Sequence, residues 1–220
     1  MKFTLFSKIL AEFIGTLFLV LTVVGSGIMG ENLSDNLALT LLGNSIATGA
    51  ILFVMITMFI NISGAYFNPA VIIYDYFNAK ISISLSILFT ITQIIGGILG
   101  CILAGIYFEK EIIQLSTYER HSFSTFLSEI VATFGLVLTI IIIGAKDKGK
   151  VAVAVALYIT AGYWFTSSTS FANPAVTISR MFTNTFTGIH PESVMYFILA
   201  QVIGALIASY VGKFFTNFKN

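Results

Sequence analysis

Six stretches of this chain are almost free of charge and approach or exceed the length that crosses a lipid bilayer. They run roughly over 9–29, 37–60, 83–107, 123–145, 151–166 and 194–215. A spanning helix needs about 20 apolar residues. Only the fifth stretch is short, and it ends in the polar run Ser167-Ser168-Thr169-Ser170. A β-barrel would alternate apolar and polar residues over strands of about ten residues, so these uniform runs exclude it. With 57% hydrophobic and 10% charged residues, a soluble domain could not hide the apolar surface. The expected fold is an all-α membrane protein.

The net charge of +1 gives no footing for nucleic acid, but the placement of charge is informative. Six spans put both termini on one side. That side holds Lys2, Lys8, Lys80, Lys146, Lys148, Lys150, Lys213 and Lys219, and the other keeps Lys110, Arg120 and Arg180. The positive-inside rule makes the termini side cytoplasmic, in a cell (inner or plasma) membrane. The first span carries Glu12 and shows no cleavage-site pattern, so it reads as a retained span and not as a signal peptide.

Against this apolar background, Asn-Pro-Ala occurs twice, at Asn68-Pro69-Ala70 and Asn173-Pro174-Ala175, and uses two of the three prolines. Asn caps a helix and Pro suits its first position. Each copy therefore opens a helix, expected over 68–77 and 173–182. At about 1.5 Å per residue, each is roughly half the hydrocarbon core in length. Non-helical backbone is tolerated at membrane depth only where it lines a cavity or is buried in protein. The two breaks therefore read as the lining of a transmembrane path.

The halves correspond. Ala11-Glu12-Phe13-Ile14-Gly15-Thr16 matches Ser128-Glu129-Ile130-Val131-Ala132-Thr133, and Thr92-Gln93-Ile94-Ile95-Gly96-Gly97 matches Ala200-Gln201-Val202-Ile203-Gly204-Ala205. Three spans and one half-helix per repeat make the second repeat inverted, so the half-helices enter from opposite faces. The chain reads as a single channel domain, 1–220, with inverted repeats at about 1–110 and 120–220. Gly96, Gly100 and Ala104, like Gly204, Ala208 and Gly212, recur at four-residue steps that allow close helix packing.

This pattern resembles the major intrinsic protein family, the aquaporins and aquaglyceroporins. The residues that carry it are Ile62 through Val71, the second Asn-Pro-Ala, and the Glu12, Glu129, Gln93 and Gln201 segments. The resemblance implies six tilted helices plus two re-entrant half-helices, and a homotetramer with one pore per subunit. It implies that Asn68, Pro69 and Ala70, with Asn173, Pro174 and Ala175, stand at the pore midplane. It also implies that Glu12 and Glu129 support the loops before the half-helices by accepting backbone N–H bonds. Paired helix N-termini and asparagine donors at the pore centre suit neutral solutes and oppose cations.

One position departs from the family. Members usually carry Arg directly after the second Asn-Pro-Ala, where this chain has Val176. The other filter positions carry over by spacing to Thr48, Ala161 and Ser170, a small and uncharged set. Such a set predicts a wide filter. The run from Trp164 to Ile178 resembles the branch linked to bacterial arsenic resistance. The expected permeants are trivalent metalloid hydroxides such as arsenite, glycerol-like polyols, and water. Arg180, one turn beyond Val176, is a candidate for the outer vestibule, with an interfacial role, capping the half-helix or facing headgroups, as its alternative. Its repeat mate is Asp75. Tyr66 is a candidate for the cytoplasmic half-pore.

No cofactor or metal is expected. Cys101 reads as a packing residue, and His121 and His190 as loop residues without ligand spacing. No Ser/His, Cys/His or His/Glu cluster falls within the spans, so an intramembrane enzyme is not expected. An ordinary water or glycerol channel is the nearest competing reading. A proton-coupled transporter would have to run on Glu12 and Glu129 alone.

Overall fold

The computed structural model describes residues 3–216, so Lys2 and Lys219 lie outside the described residues. Its helices are α1 (Leu5–Leu33), α2 (Leu37–Phe59), α3 (Pro69–Phe77), α4 (Ile83–Tyr107), α5 (Phe123–Lys146), α6 (Val151–Phe165), α7 (Pro174–Arg180) and α8 (Pro191–Thr216). Five of them, α1, α2, α4, α5 and α8, are long and apolar enough to cross a membrane. The sixth, α6, has 15 residues and spans only about 22 Å at 1.5 Å per residue. A 3-10 turn, Lys148–Lys150, leads into it.

Caps set several boundaries. Thr4, Asn36, Ser82 and Ser122 each accept a first-turn N–H at the start of α1, α2, α4 and α5. The half-helices start where the sequence placed them, with Asn at the cap and Pro at the first position. The second is shorter than expected. It stops at Arg180, where the Met181 and Phe182 N–H groups turn back to Ile178 and Ser179.

The backbones of α1 and α4 cross closely, as do those of α5 and α8. A Cβ on Gly96 would lie 2.6 Å from the Phe13 carbonyl oxygen, and one on Gly100 only 2.3 Å from that of Leu17. Gly204 stands in the same relation to Ile130, at 2.5 Å. Backbone cannot yield as a side chain can, so these glycines fix the two crossings. Polar ties add to the packing. Asn44 on α2 donates to the Val23 carbonyl on α1 at 2.7 Å, and Trp164 on α6 donates to Ser45 on α2 at 3.1 Å.

Gly15 serves another purpose. A Cβ there would lie 2.0 Å from the Phe67 ring, which fills the space beside α1. In the matching half the pair is Ala132 with Ala172, both fully buried. The matched positions thus hold a large and an absent side chain in one half, and two small ones in the other.

Gly100→Leu is expected to lower stability by about 3 kcal/mol or more, because overpacking here meets backbone. Thermal unfolding in detergent measures this. Gly43→Ala, which lies inside α2 and meets nothing within 4 Å, is expected to hold or raise the midpoint.

Candidate functional site: a cavity built on two half-helices

Each half-helix is preceded by a loop that cannot hold its shape alone. Ala65 and Phe67 in the first loop have φ of 52° and 49°, and Ser170 and Ala172 in the second have 51° and 47°. Left-handed backbone costs an ordinary residue on the order of 1–3 kcal/mol and persists only where the surroundings impose it.

Two buried carboxylates impose it. Glu12 accepts from Ser63 Oγ at 2.6 Å, the Tyr66 N–H at 3.0 Å, the Phe67 N–H at 2.8 Å and Gln93 Nε2 at 2.7 Å. Glu129 accepts from Ser168 Oγ at 2.6 Å, the Phe171 N–H at 2.9 Å, the Ala172 N–H at 2.8 Å and Gln201 Nε2 at 2.7 Å. Both glutamates are fully buried. Four donors on each compensate a charge that would otherwise be costly to remove from water. The serines act twice, because Ser63 and Ser168 also accept from the N–H two residues on, at Ala65 and Ser170.

The loops meet through the asparagines. Asn68 Nδ2 donates to the Ala172 carbonyl at 2.7 Å, and Asn173 Nδ2 donates to the Phe67 carbonyl at 2.8 Å. Each amide oxygen caps its own helix, Asn68 toward the Ala70 N–H and Asn173 toward the Ala175 and Val176 N–H groups. A side-chain amide has two N–H donors. One is used in the cross-tie, and the other has no partner among the described residues.

Both asparagines line one cavity of about 560 Å³. The rest of the motif does not: Ala70 and Ala175 are fully buried packing residues. The carried-over filter positions divide in the same way. Thr48, Ser170 and Val176 line the cavity, each buried. Ala161 does not. It is exposed on the outer face of α6, so its assignment to the filter is corrected. The cavity face of α6 is Val151, Val155, Ile159 and Tyr163. Ala161 lies two residues from the last two of these, about 200° around the helix. The four-residue stripe that continues from Val151 would have found Tyr163. That tyrosine is buried, and its hydroxyl is hydrogen-bonded to Thr48 at 3.0 Å.

The candidate mouth residues both line the cavity, and they show a matched design. Tyr66, two residues before Asn68, donates to Asp75, seven residues after it, at 2.7 Å. Phe171, two residues before Asn173, carries the Arg180 guanidinium on its ring at 3.4 Å from the centroid, seven residues after Asn173. Asp75 is further paired with Lys80 at 3.3 Å. Arg180 is buried and donates through Nε to the Thr187 carbonyl, which excludes the headgroup-facing alternative. Lys80, Lys148 and Phe171 also line the cavity and were not assigned to it from the sequence.

His121 and His190 lie in the loops that lead into α5 and α8, within hydrogen-bond reach of Ser193 Oγ and the Glu192 N–H respectively. Cys101 is buried and free. Among the described residues no group of three metal-ligating side chains comes together.

Long apolar helices, two facing half-helices and one cavity between them define a membrane-channel architecture. The family model described as Major intrinsic protein matches residues 1–151. "Aquaglyceroporin AqpS" of Rhizobium meliloti (strain 1021) is 44% identical over 207 residues, covering 94% of this chain and 89% of its own. "Aquaporin TIP1-1" of Arabidopsis thaliana is 33% identical over 138 residues, or 60% of this chain and 54% of the plant protein. The chain belongs to the major intrinsic protein family, whose members are channels and not enzymes. The X-ray structure of the aquaglyceroporin from Plasmodium falciparum superposes with a TM-score of 0.75 at 19% identity, over 97% of this chain and 96% of that one, and so shares the fold.

Glu129→Gln is expected to place an amide N–H₂ against donors that need an acceptor. Leaving even one of the Phe171 and Ala172 N–H groups unpaired costs roughly 1–3 kcal/mol. A lowered unfolding midpoint together with reduced solute flux is the expected result. Glu12→Gln is expected to behave alike, and the two variants can be compared in the same thermal and flux assays.

Proposed function

We propose that the chain forms a passive transmembrane channel for small neutral solutes, with Asn68 and Asn173 as the midplane donors. The observation that carries this is the pair of cross-tied asparagines facing one cavity, each with an N–H in reserve. Each half-helix directs its positive end toward that point, which disfavours cations. Glu12 and Glu129 are committed to four donors each, which supports a structural role over a proton relay.

The permeants we assign are glycerol-like polyols, trivalent metalloid hydroxides such as arsenite, and water. Support comes from the relative named an aquaglyceroporin and from Val176, which places no fixed donor or positive charge beside the second motif. Thr48, Ser170 and Val176 form the outer filter in this reading, with Tyr163 in the place first given to Ala161. Tyr163 favours a second reading, an ordinary water or glycerol channel, because a phenol takes more of the opening than a methyl group.

We further propose a homotetramer in the cell membrane with both termini cytoplasmic. The lysine bias supports the orientation: Lys8, Lys146, Lys150 and Lys213 fall on the termini side with Lys80 and Lys148. Two of the three opposing cations, Arg120 and Arg180, are held by loop carbonyls. The inverted repeats at about 1–110 and 120–220 are supported by the matched glutamate, asparagine and mouth contacts.

Light scattering on proteoliposomes, with water, glycerol, urea and arsenite in parallel, tests the function. Rapid water flow with solute entry is expected, and water flow without any solute entry would overturn the wide-filter reading. Val176→Arg is expected to cut glycerol flux about tenfold, equal to roughly 1.4 kcal/mol of barrier, and to cut water flux much less. Equal effects on both would remove Val176 from the constriction.

A further inference from the structure

Arg180 is a cation that the fold has buried without a carboxylate. The described residues form two salt bridges, Lys80 with Asp75 and Lys150 with Asp147, and neither involves it. The only hydrogen bond its side chain makes among the described residues runs from Nε to the Thr187 carbonyl. Its plane is fixed from the other side by the Phe171 ring. The terminal Nη groups have no protein partner among the described residues, and the side chain lines the cavity. A guanidinium so held presents its remaining donors in a fixed fork.

Buried polar groups are nearly always paired, and guanidinium donors left open on a cavity wall point to a solute that pairs them. The other half of the molecule shows the contrast. At the matching mouth position Asp75 is engaged by both the Tyr66 hydroxyl and Lys80. One mouth is neutralised, and the other keeps its charge and donors free.

We propose that Arg180 forms a recognition site for adjacent hydroxyl groups in the outer part of the cavity, and adds there the positive charge that Val176 does not supply. The inference rests on the channel reading above and names the solutes that this end of the cavity prefers. Two hydroxyls on neighbouring atoms, or on one central atom, match the spacing of the guanidinium fork. Hydroxyls set further apart engage only one donor. Placing the arginine one turn beyond the second motif leaves the opening at Val176 wide while still offering paired donors on the way in.

The test uses two isomers of equal size, propane-1,2-diol and propane-1,3-diol, with proteoliposomes of the full-length protein and of Arg180→Lys and Arg180→Gln. The wild type is expected to pass the 1,2-isomer about five- to tenfold faster than the 1,3-isomer, after subtraction of protein-free liposomes. Arg180→Lys keeps the charge and loses the fork, so the ratio falls toward one while potassium leak stays at background. Arg180→Gln loses both, so the ratio falls and potassium leak rises. A general folding defect scales both isomers alike and leaves the ratio unchanged. A wild-type ratio near one, or a ratio unchanged in both variants, overturns the inference and leaves the channel reading standing. No solute flux through the wild type overturns the channel reading itself.

Discussion

Everything in the cavity depends on two carboxylates that are buried and fully paired. Without Glu12 and Glu129, the backbone N–H groups of Tyr66, Phe67, Phe171 and Ala172 would lose their acceptors. The left-handed residues beside them would relax. The Phe67 and Ala172 carbonyls would then no longer face the asparagines that tie the two loops together. The chain thus spends its costliest groups, two acids in a lipid-embedded core, on holding irregular backbone. Gln93 and Gln201 complete each cluster and pin it to α4 and α8. The same two helices are locked to their neighbours by glycine.

The two halves repeat this scaffold but not its fittings. Phe67 beside Gly15 and Ala172 beside Ala132 fill equivalent places with very different volumes. Tyr66 with Asp75 and Phe171 with Arg180 occupy equivalent mouth positions with opposite charge. A duplicated frame fixes the geometry at the centre, where both asparagines must meet. Away from the centre the halves are free to differ, and the path becomes chemically polar from end to end.

Much of the frame was legible in the sequence. The long apolar runs gave the spans to within a few residues, because a bilayer demands a fixed length of uniform hydrophobicity. Asn-Pro marked both half-helix starts, because capping and the missing proline N–H are local chemistry. The paired Glu and Gln segments marked the supports. The cavity-facing side of α6 was harder. Counting residues from a relative's pattern gave Ala161, whereas the four-residue stripe from Val151 to Tyr163 faces inward. In a helix that is apolar all round, hydrophobicity does not tell the inner face from the outer. Arg180 was ambiguous for a similar reason. Only the tertiary fold brings Phe171 and Thr187 to it and buries it.

The proposed channel is one aqueous path that passes between the half-helices and widens beside Val176. Cysteine accessibility tests it most directly, since the native Cys101 is buried. A small water-soluble thiol reagent is expected to block glycerol flux through a Val176→Cys variant and to leave an Ala161→Cys variant conducting. Block at position 161 with none at 176 would contradict the account.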